Sequence, residues 1–193
     1  MSNAAYPLLF AIALAMIPAA ARAAPLDTQD IAVAVERDGE AIEVKVDLVV
    51  PATPQEVWDV LTDYDHMAEF VSNVAMSRII HREEDKIEVA QTSRLAFGLL
   101  ELKFDNVREI EFVPSREIRS KLIRGDMKAS AFTTNVAAEG NATRITNHGR
   151  FIPGRWIPPL IGTALLEAET RKQFAEFRAE ILRRKQPGEQ SRR

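Results

Sequence analysis

Residues 50–71 read VPATPQEVWDVLTDYDHMAEFV. An apolar strand stops at Pro51 and a helix begins almost at once. Thr53 supplies an N-cap, Pro54 occupies the first helical position, and Glu56, three residues after the cap, completes a capping box. Val57, Val60, Leu61 and Tyr64 come next at helical spacing and give this short helix one apolar face. Asp65 is then placed to cap a second short turn, HMAEFV, whose Met67, Phe70 and Val71 point inward. The end of the stretch has two readings. Asp63, Asp65 and His66 offer oxygen and nitrogen ligands, so DYDH reads as a metal or acid–base site; it also reads as a helix end, a turn and a second cap. A bound metal needs further ligands from elsewhere, and no second cluster stands out in the sequence. The corner is therefore the preferred reading.

Working outward, Ile31 to Val35 and Ala41 to Val50 form a two-strand signal around the Asp38-Gly39 turn. From Val74 to Phe151 the pattern holds to period two. The predicted strands are Val74–Arg82, Lys86–Phe97, Leu100–Phe112, Glu117–Arg124, Lys128–Ala138 and Thr143–Phe151. Turn signals separate them at Glu83-Glu84-Asp85, Gly98, Pro114-Ser115, Gly125-Asp126 and Gly140-Asn141. Short links between long strands predict an antiparallel meander, which curls because strands twist. After Pro153-Gly154 and Pro158-Pro159 one long helix is expected over about Leu160 to Lys185. Leu166, Thr170, Phe174, Phe177 and Ile181 fall on one of its faces, leaving QPGEQSRR (186–193) as a disordered tail. The class is α+β: a curved sheet whose concave face is covered by the C-terminal helix.

The 193 residues are 46% hydrophobic and 27% charged, the profile of one globular domain. The apolar run Leu8 to Ala21 is short for a membrane span and Pro18 interrupts it. Ala21-Arg22-Ala23 offers a small-x-small cleavage pattern, although no Lys or Arg precedes the run. Residues 1–23 are accordingly expected to be a signal peptide, cleaved after Ala23, with the mature protein periplasmic or secreted. Its removal deletes one charged residue, Arg22, and moves the net charge from −3 to −4. The sequence has no cysteine, which excludes disulfides, thiolate metal sites and a cysteine nucleophile. The acidic balance argues against nucleic acid as a partner.

The layout resembles the START-like helix-grip (SRPBCC) superfamily, and more narrowly its polyketide cyclase/dehydrase and lipid-transport group, which includes coenzyme Q-binding START-domain proteins. The stretches that carry the resemblance are Pro51 to Val71, the turn Arg124-Gly125-Asp126-Met127-Lys128, Thr143-Arg144-Ile145-Thr146, and FIPGRWIPPL before the long helix. The resemblance covers about Ile42 to Arg184, within a START-like ligand-binding domain over 24–185. The resemblance implies a curved sheet of about seven strands gripping the long helix, an apolar cavity between them, and no metal or other cofactor.

No catalytic residue is assigned. His66, His81 and His148 lie in no recognised motif, alternation turns His81 and His148 outward, and no serine sits in a GxSxG elbow. No phosphate loop or GxGxxG signature occurs. Alternation directs Met76, Val89, Gln91, Leu95, Leu102, Phe104, Asn106, Leu122, Phe132, Ile145, Asn147 and Phe151 toward the concave face. Most of these are core residues. Gln91, Asn106 and Asn147 are polar groups among apolar neighbours, so each is either bonded internally or lines a cavity. In FIPGRWIPPLIG (151–162), Trp156 and Arg155 sit in a proline-stiffened loop. Over 152–160 that loop reads either as a contact with a membrane surface or as a plug in the barrel end. The helix after it carries Gly162, Thr163 and Thr170 toward the sheet and bulkier Phe174, Phe177 and Ile181 further on. This grading predicts a cavity beside its first half. The expected ligand-binding set is Trp58, Met76, Gln91, Phe104, Asn106, Phe132, Asn147, Phe151, Trp156, Ile161, Leu165, Leu166 and Thr170. The expected function is an exported binding protein for a lipid, quinone or polyketide-like molecule. The alternative is a cyclase or dehydratase acting in the same cavity.

Overall fold

The structure is a computed structural model and describes residues 28, 30–97, 100–154 and 159–190, with side chains except those of 96, 97, 100, 159–161 and 186–190. Among the described residues eight strands and three helices occur in order: β1 (Ala32–Asp38), β2 (Ala41–Val50), α1 (Pro54–Leu61), α2 (Met67–Phe70), β3 (Val74–Arg82), β4 (Lys86–Phe97), β5 (Leu100–Val113), β6 (Glu117–Gly125), β7 (Met127–Glu139), β8 (Ala142–Pro153) and α3 (Pro159–Gln190). The strands form one antiparallel sheet in the order β1-β2-β8-β7-β6-β5-β4-β3. Strands 3 to 8 are a pure meander. The last of them closes on β2, so α1 and α2 carry the chain from the middle of one side of the sheet to its far edge. The resemblance implied about seven strands; β1, paired along its length with β2, is the eighth. Among the described residues no helix is long and apolar enough to cross a membrane.

The stretch 50–71 folds as its capping pattern requires. The Glu56 amide donates to Thr53 Oγ1 at 3.3 Å, and the Thr53 amide donates to the Glu56 carboxylate at 2.7 Å. Val57, Val60 and Leu61 are buried on the apolar face. One detail differs. Asp65 caps no helix: α2 begins after His66 without a side-chain cap, and Asp65 Oδ1 instead accepts from the Ile79 amide at 2.8 Å, pinning β3. Asp63 holds His66 at 2.6 Å and Arg184 of α3 at 2.8 Å. The Ser72 amide donates to Glu176 on α3, Lys185 donates to the Pro51 carbonyl, and buried Thr143 donates to the Ala52 carbonyl. DYDH is thus a corner clamped to the last turns of the long helix. No three potential metal-ligating side chains gather among the described residues.

Two register slips in β3, between Val74 and Met76 and between Ile79 and His81, break the period-two reading there. Each slip inserts a residue and reverses the facing of the residues after it. Val74 and Ser77 are buried while Met76 and Ile80 are 43% and 46% exposed. Alternation placed Met76 on the concave face; it lies on the other one. In the β6–β7 connection Gly125 has φ +144, and a Cβ there would stand 2.2 Å from the Asp105 carbonyl oxygen. Only glycine fits where two backbones approach so closely.

Candidate functional site: a cavity between the sheet and α3

The concave floor is built from directly paired residues. Across β4 and β5, Gln91 faces Asn106, Ser93 faces Phe104 and Leu95 faces Leu102, so alternation carries a whole row onto one surface. Ile118, Ser120 and Leu122 extend the floor on β6, Ser130, Phe132 and Thr134 on β7, and Asn147 and Phe151 on β8. Phe132 lies against Gly149, its partner across the β7–β8 ladder: a Cβ on that glycine would fall 1.9 Å from the ring. The Phe132 ring stacks on Phe151 with centroids 6.4 Å apart.

The long helix does two different jobs along its length. Phe174 and Phe177 are buried but still border the cavity, while Ile181 has no exposed surface and is outside its lining. One and two turns earlier, Leu166, Glu169, Thr170 and Gln173 face an open space instead of packed side chains. The corner supplies the end wall with Leu61, Tyr64 and Met67. The cavity volume is about 300 Å³, at the lower end of the range for sites that hold one small molecule.

The three floor amides have different environments. Gln91 donates to Ser77 Oγ at 3.2 Å and to Met67 Sδ at 3.3 Å, and Asn147 donates to Thr134 Oγ1 at 2.7 Å. Asn106 is 8% exposed and its Oδ1 has no hydrogen-bond partner; Ser120 Oγ is likewise buried and unpartnered. Arg108 stands on the same floor. Its Nη1 donates to Gln91 Oε1 at 3.4 Å and its Cζ lies 5.7 Å from the Phe132 ring centroid. Burial pulls the guanidinium below its usual value, and the nearby Tyr64 pulls weakly the other way; it remains a cation at any physiological pH. Burial pushes the Tyr64 phenol up to about 12, against the opposing field of Arg108, so that hydroxyl keeps its proton.

Of the residues named from sequence, Gln91, Phe104, Asn106, Phe132, Asn147, Phe151, Leu166 and Thr170 line this one cavity. Met76 does not, because of the first slip in β3. Trp58 does not: its indole packs edge-on against Phe112 at 5.9 Å. Leu165 is half-buried but is absent from the lining. It stands one residue from Leu166, about 100° around the helix, and so looks away from the space. Trp156 and the rest of residues 155–158 in the 152–160 loop lie outside the described residues, as does the Ile161 side chain. Sequence reasoning passed over Arg108, Tyr64, Met67 and Ser120. The signal for Arg108 was available, since it shares the parity of Phe104, Asn106 and Ile110 on one strand.

The sequence of residues 50–178 matches the family model described as polyketide cyclase/dehydrase and lipid transport. The chain belongs to that family. Several solved structures are similar to it in fold. A STAR-related lipid transfer protein from Xanthomonas axonopodis is 12% identical with a TM-score of 0.67, covering 79% of this chain and 94% of that one. The Zhui aromatase/cyclase from Streptomyces sp. R1128 is 17% identical with a TM-score of 0.62, covering 75% and 95%. A START superfamily protein from Mycobacterium smegmatis is 10% identical with a TM-score of 0.63, covering 73% and 97%. No curated protein matches the chain significantly. At these identities the neighbours establish the helix-grip fold, and the site must be argued from this chain's own residues.

Proposed function

We propose that this protein is an exported binding protein for a single hydrophobic small molecule, of the lipid, quinone or polyketide-like kind, held between the concave sheet and the first half of α3. The observation that carries this reading is the cavity itself. A helix serving only to seal a core would meet packed side chains along its whole inner stripe. Here about 300 Å³ stays open beside Leu166 and Thr170 while the same stripe is tightly filled at Ile181. The apolar rings and aliphatic groups of the lining supply the driving force for a hydrophobic ligand, and the few polar groups set its orientation. Export rests on the sequence of residues 8–23.

A second reading, a cyclase or dehydratase, is favoured by Arg108 beside the protonated Tyr64, a pair able to polarise a carbonyl. Proton removal also needs a base near the operating pH. Among the described residues no histidine lines the cavity, and Glu169 is its one carboxylate. Binding without turnover is therefore the reading supported better. Mass spectrometry of organic extracts from protein purified after expression with its own leader tests it. A stoichiometric co-purifying hydrophobic compound, unchanged on incubation, is the expected result. Recovery of no bound compound and no affinity for any hydrophobic probe would overturn it, and conversion of an aromatic polyketide precursor would establish the second reading.

A further inference from the structure

The proposal rests on the cavity binding a ligand, and concerns what that ligand's polar end must be. Arg108 is the charge that the floor of the cavity leaves unanswered. Among the described residues no carboxylate pairs with it, and Tyr64 is the titratable neighbour whose field it feels. Elsewhere in the molecule the half-buried arginines are matched: Arg184 with Asp63 and Glu180, Arg171 with Glu167, Arg144 with Asp47 and Glu139. A guanidinium has five N–H donors in a planar fork. Here one of them reaches Gln91 Oε1 at the long distance of 3.4 Å, and Phe132 covers one face. A charge placed among apolar groups is costly unless it is paired. Ser120 and Asn106 line the same cavity, and each has a buried side-chain oxygen with no hydrogen-bond partner.

We infer that Arg108 is the anchor for an anionic head on the hydrophobic ligand, and that the head is a carboxylate, with the apolar body lying along Phe104, Phe151 and Leu166. A carboxylate matches the planar fork and brings one negative charge to one positive charge. The Ser120 hydroxyl supplies an additional donor. Asn106 Oδ1 accepts from a hydroxyl on the ligand or from a retained water. A phosphate head would bring more negative charge than one guanidinium neutralises. The other cation of the lining, Arg94, is solvent-exposed, and Glu169 on the α3 wall opposes a second negative charge. A cavity of about 300 Å³ also suits one chain or one small ring system better than a two-chain phospholipid.

The test is competition against the uncharged fluorophore N-phenyl-1-naphthylamine on the full-length chain, using dodecanoic acid, dodecanol, methyl dodecanoate and dodecyl phosphate at pH 7.5. Dodecanoate should bind about tenfold to a hundredfold more tightly than dodecanol or the ester, the range expected for a charge-assisted hydrogen-bonded pair. Arg108→Gln should collapse that ratio to near one, and Arg108→Lys, which keeps a point charge without the fork, should retain part of it. Each ratio is internal to one variant, so a general loss of affinity does not mimic the result. Should Arg108→Gln fail to fold, the wild-type ratio and Arg108→Lys decide. Equal binding of acid and alcohol by the wild type, or a preference that survives Arg108→Gln, would overturn the anchor while leaving hydrophobic binding intact. Tighter binding of dodecyl phosphate than of dodecanoate would overturn the carboxylate assignment. Failure of every compound, the fluorophore included, would overturn the binding reading and the anchor with it.

Discussion

The two ends of the helix grip use the same ingredients to opposite effect. At the closed end, the last turns of α3 meet α1, α2 and the corner, and each polar group named there has its partner: Asp63 with His66 and Arg184, Glu176 with the Ser72 amide, Thr143 with the Ala52 carbonyl. Among the apolar groups between them, Val57, Val60, Val71 and Ile181 have no exposed surface. At the hollow end, beside the first turns of the same helix, Arg108, Asn106 and Ser120 line the cavity; Arg108 has no carboxylate partner among the described residues, and Asn106 Oδ1 and Ser120 Oγ have no hydrogen-bond partner. Polar satisfaction and close packing coincide at one end, and both stop at the other. Where the groups of a fold complete one another they hold it together; where they are left incomplete around a void, a ligand completes them.

The packed end should be the more fragile of the two. Ile181→Ala should cost about 2–5 kcal/mol, because a fully enclosed side chain leaves a cavity its neighbours cannot fill. Leu166→Ala, on a wall that already faces open space, should cost about 1–2 kcal/mol, below that range because part of its contact is with the void. Urea unfolding of the two variants measures the difference, and equal costs would mean that the two halves of α3 are packed alike.

Gly149→Ala attacks the floor. The added methyl would meet the Phe132 ring, so the ring must lift away from β8 and into the cavity. The expected loss is about 1–3 kcal/mol, accompanied by weaker binding of a neutral hydrophobic probe. Unchanged binding would show that Phe132 does not border the ligand.

At the start of α1, Thr53→Ala removes one half of an exposed capping box. It should lower stability by about 1 kcal/mol and leave probe binding as it was, since Thr53 is remote from the cavity lining. Urea unfolding checks the first effect and probe titration the second.

The exposed corner should show the least change. Burial works against ionisation of Asp63, but the hydrogen bond from His66 and the Arg184 guanidinium outweigh it and hold its carboxyl below the usual value of 3.8. The hydrogen bond to Asp63, with its charge, raises His66 above the usual 6.5. A depressed carboxyl stabilises above its unfolded value and loses that contribution as pH falls through the folded one. A raised imidazole stabilises below its unfolded value and loses its contribution as pH climbs through the folded one. Both contributions are present together between about pH 4 and pH 6.5. The melting temperature of His66→Asn should therefore approach that of the wild type above about pH 8 and fall slightly below it near pH 5. A gap that does not depend on pH would contradict the pairing.

Much of the grip was legible because it depends on local rules. Capping at Thr53 and Glu56 needs four residues, and alternation fixed most strand positions within a residue or two. The grading of α3 from Thr170 to Ile181 pointed to the end of the helix where space remains. Failures came where facing depends on something beyond the local pattern. The first of two slips in β3, with no glycine or proline to mark it, turned Met76 outward. Trp58 looked like a cavity aromatic, but its ring packs edge-on against Phe112 instead. Leu165 was one helical step from the correct face. Arg108 was hidden by a rule of thumb: a charged residue in an alternating strand is assigned to the wet side, although its parity with Phe104, Asn106 and Ile110 placed it inside.

Whether the hollow half of the grip is the ligand site is decided by Leu166→Trp. The added ring should occupy the space beside Thr170 and Phe104 and weaken binding of N-phenyl-1-naphthylamine at least tenfold. The melting temperature should stay within a few degrees of the wild type, because a void accepts volume that a packed core rejects. Undiminished binding would place the ligand elsewhere, and a chain that no longer folds would show that this half of the grip is packed rather than hollow.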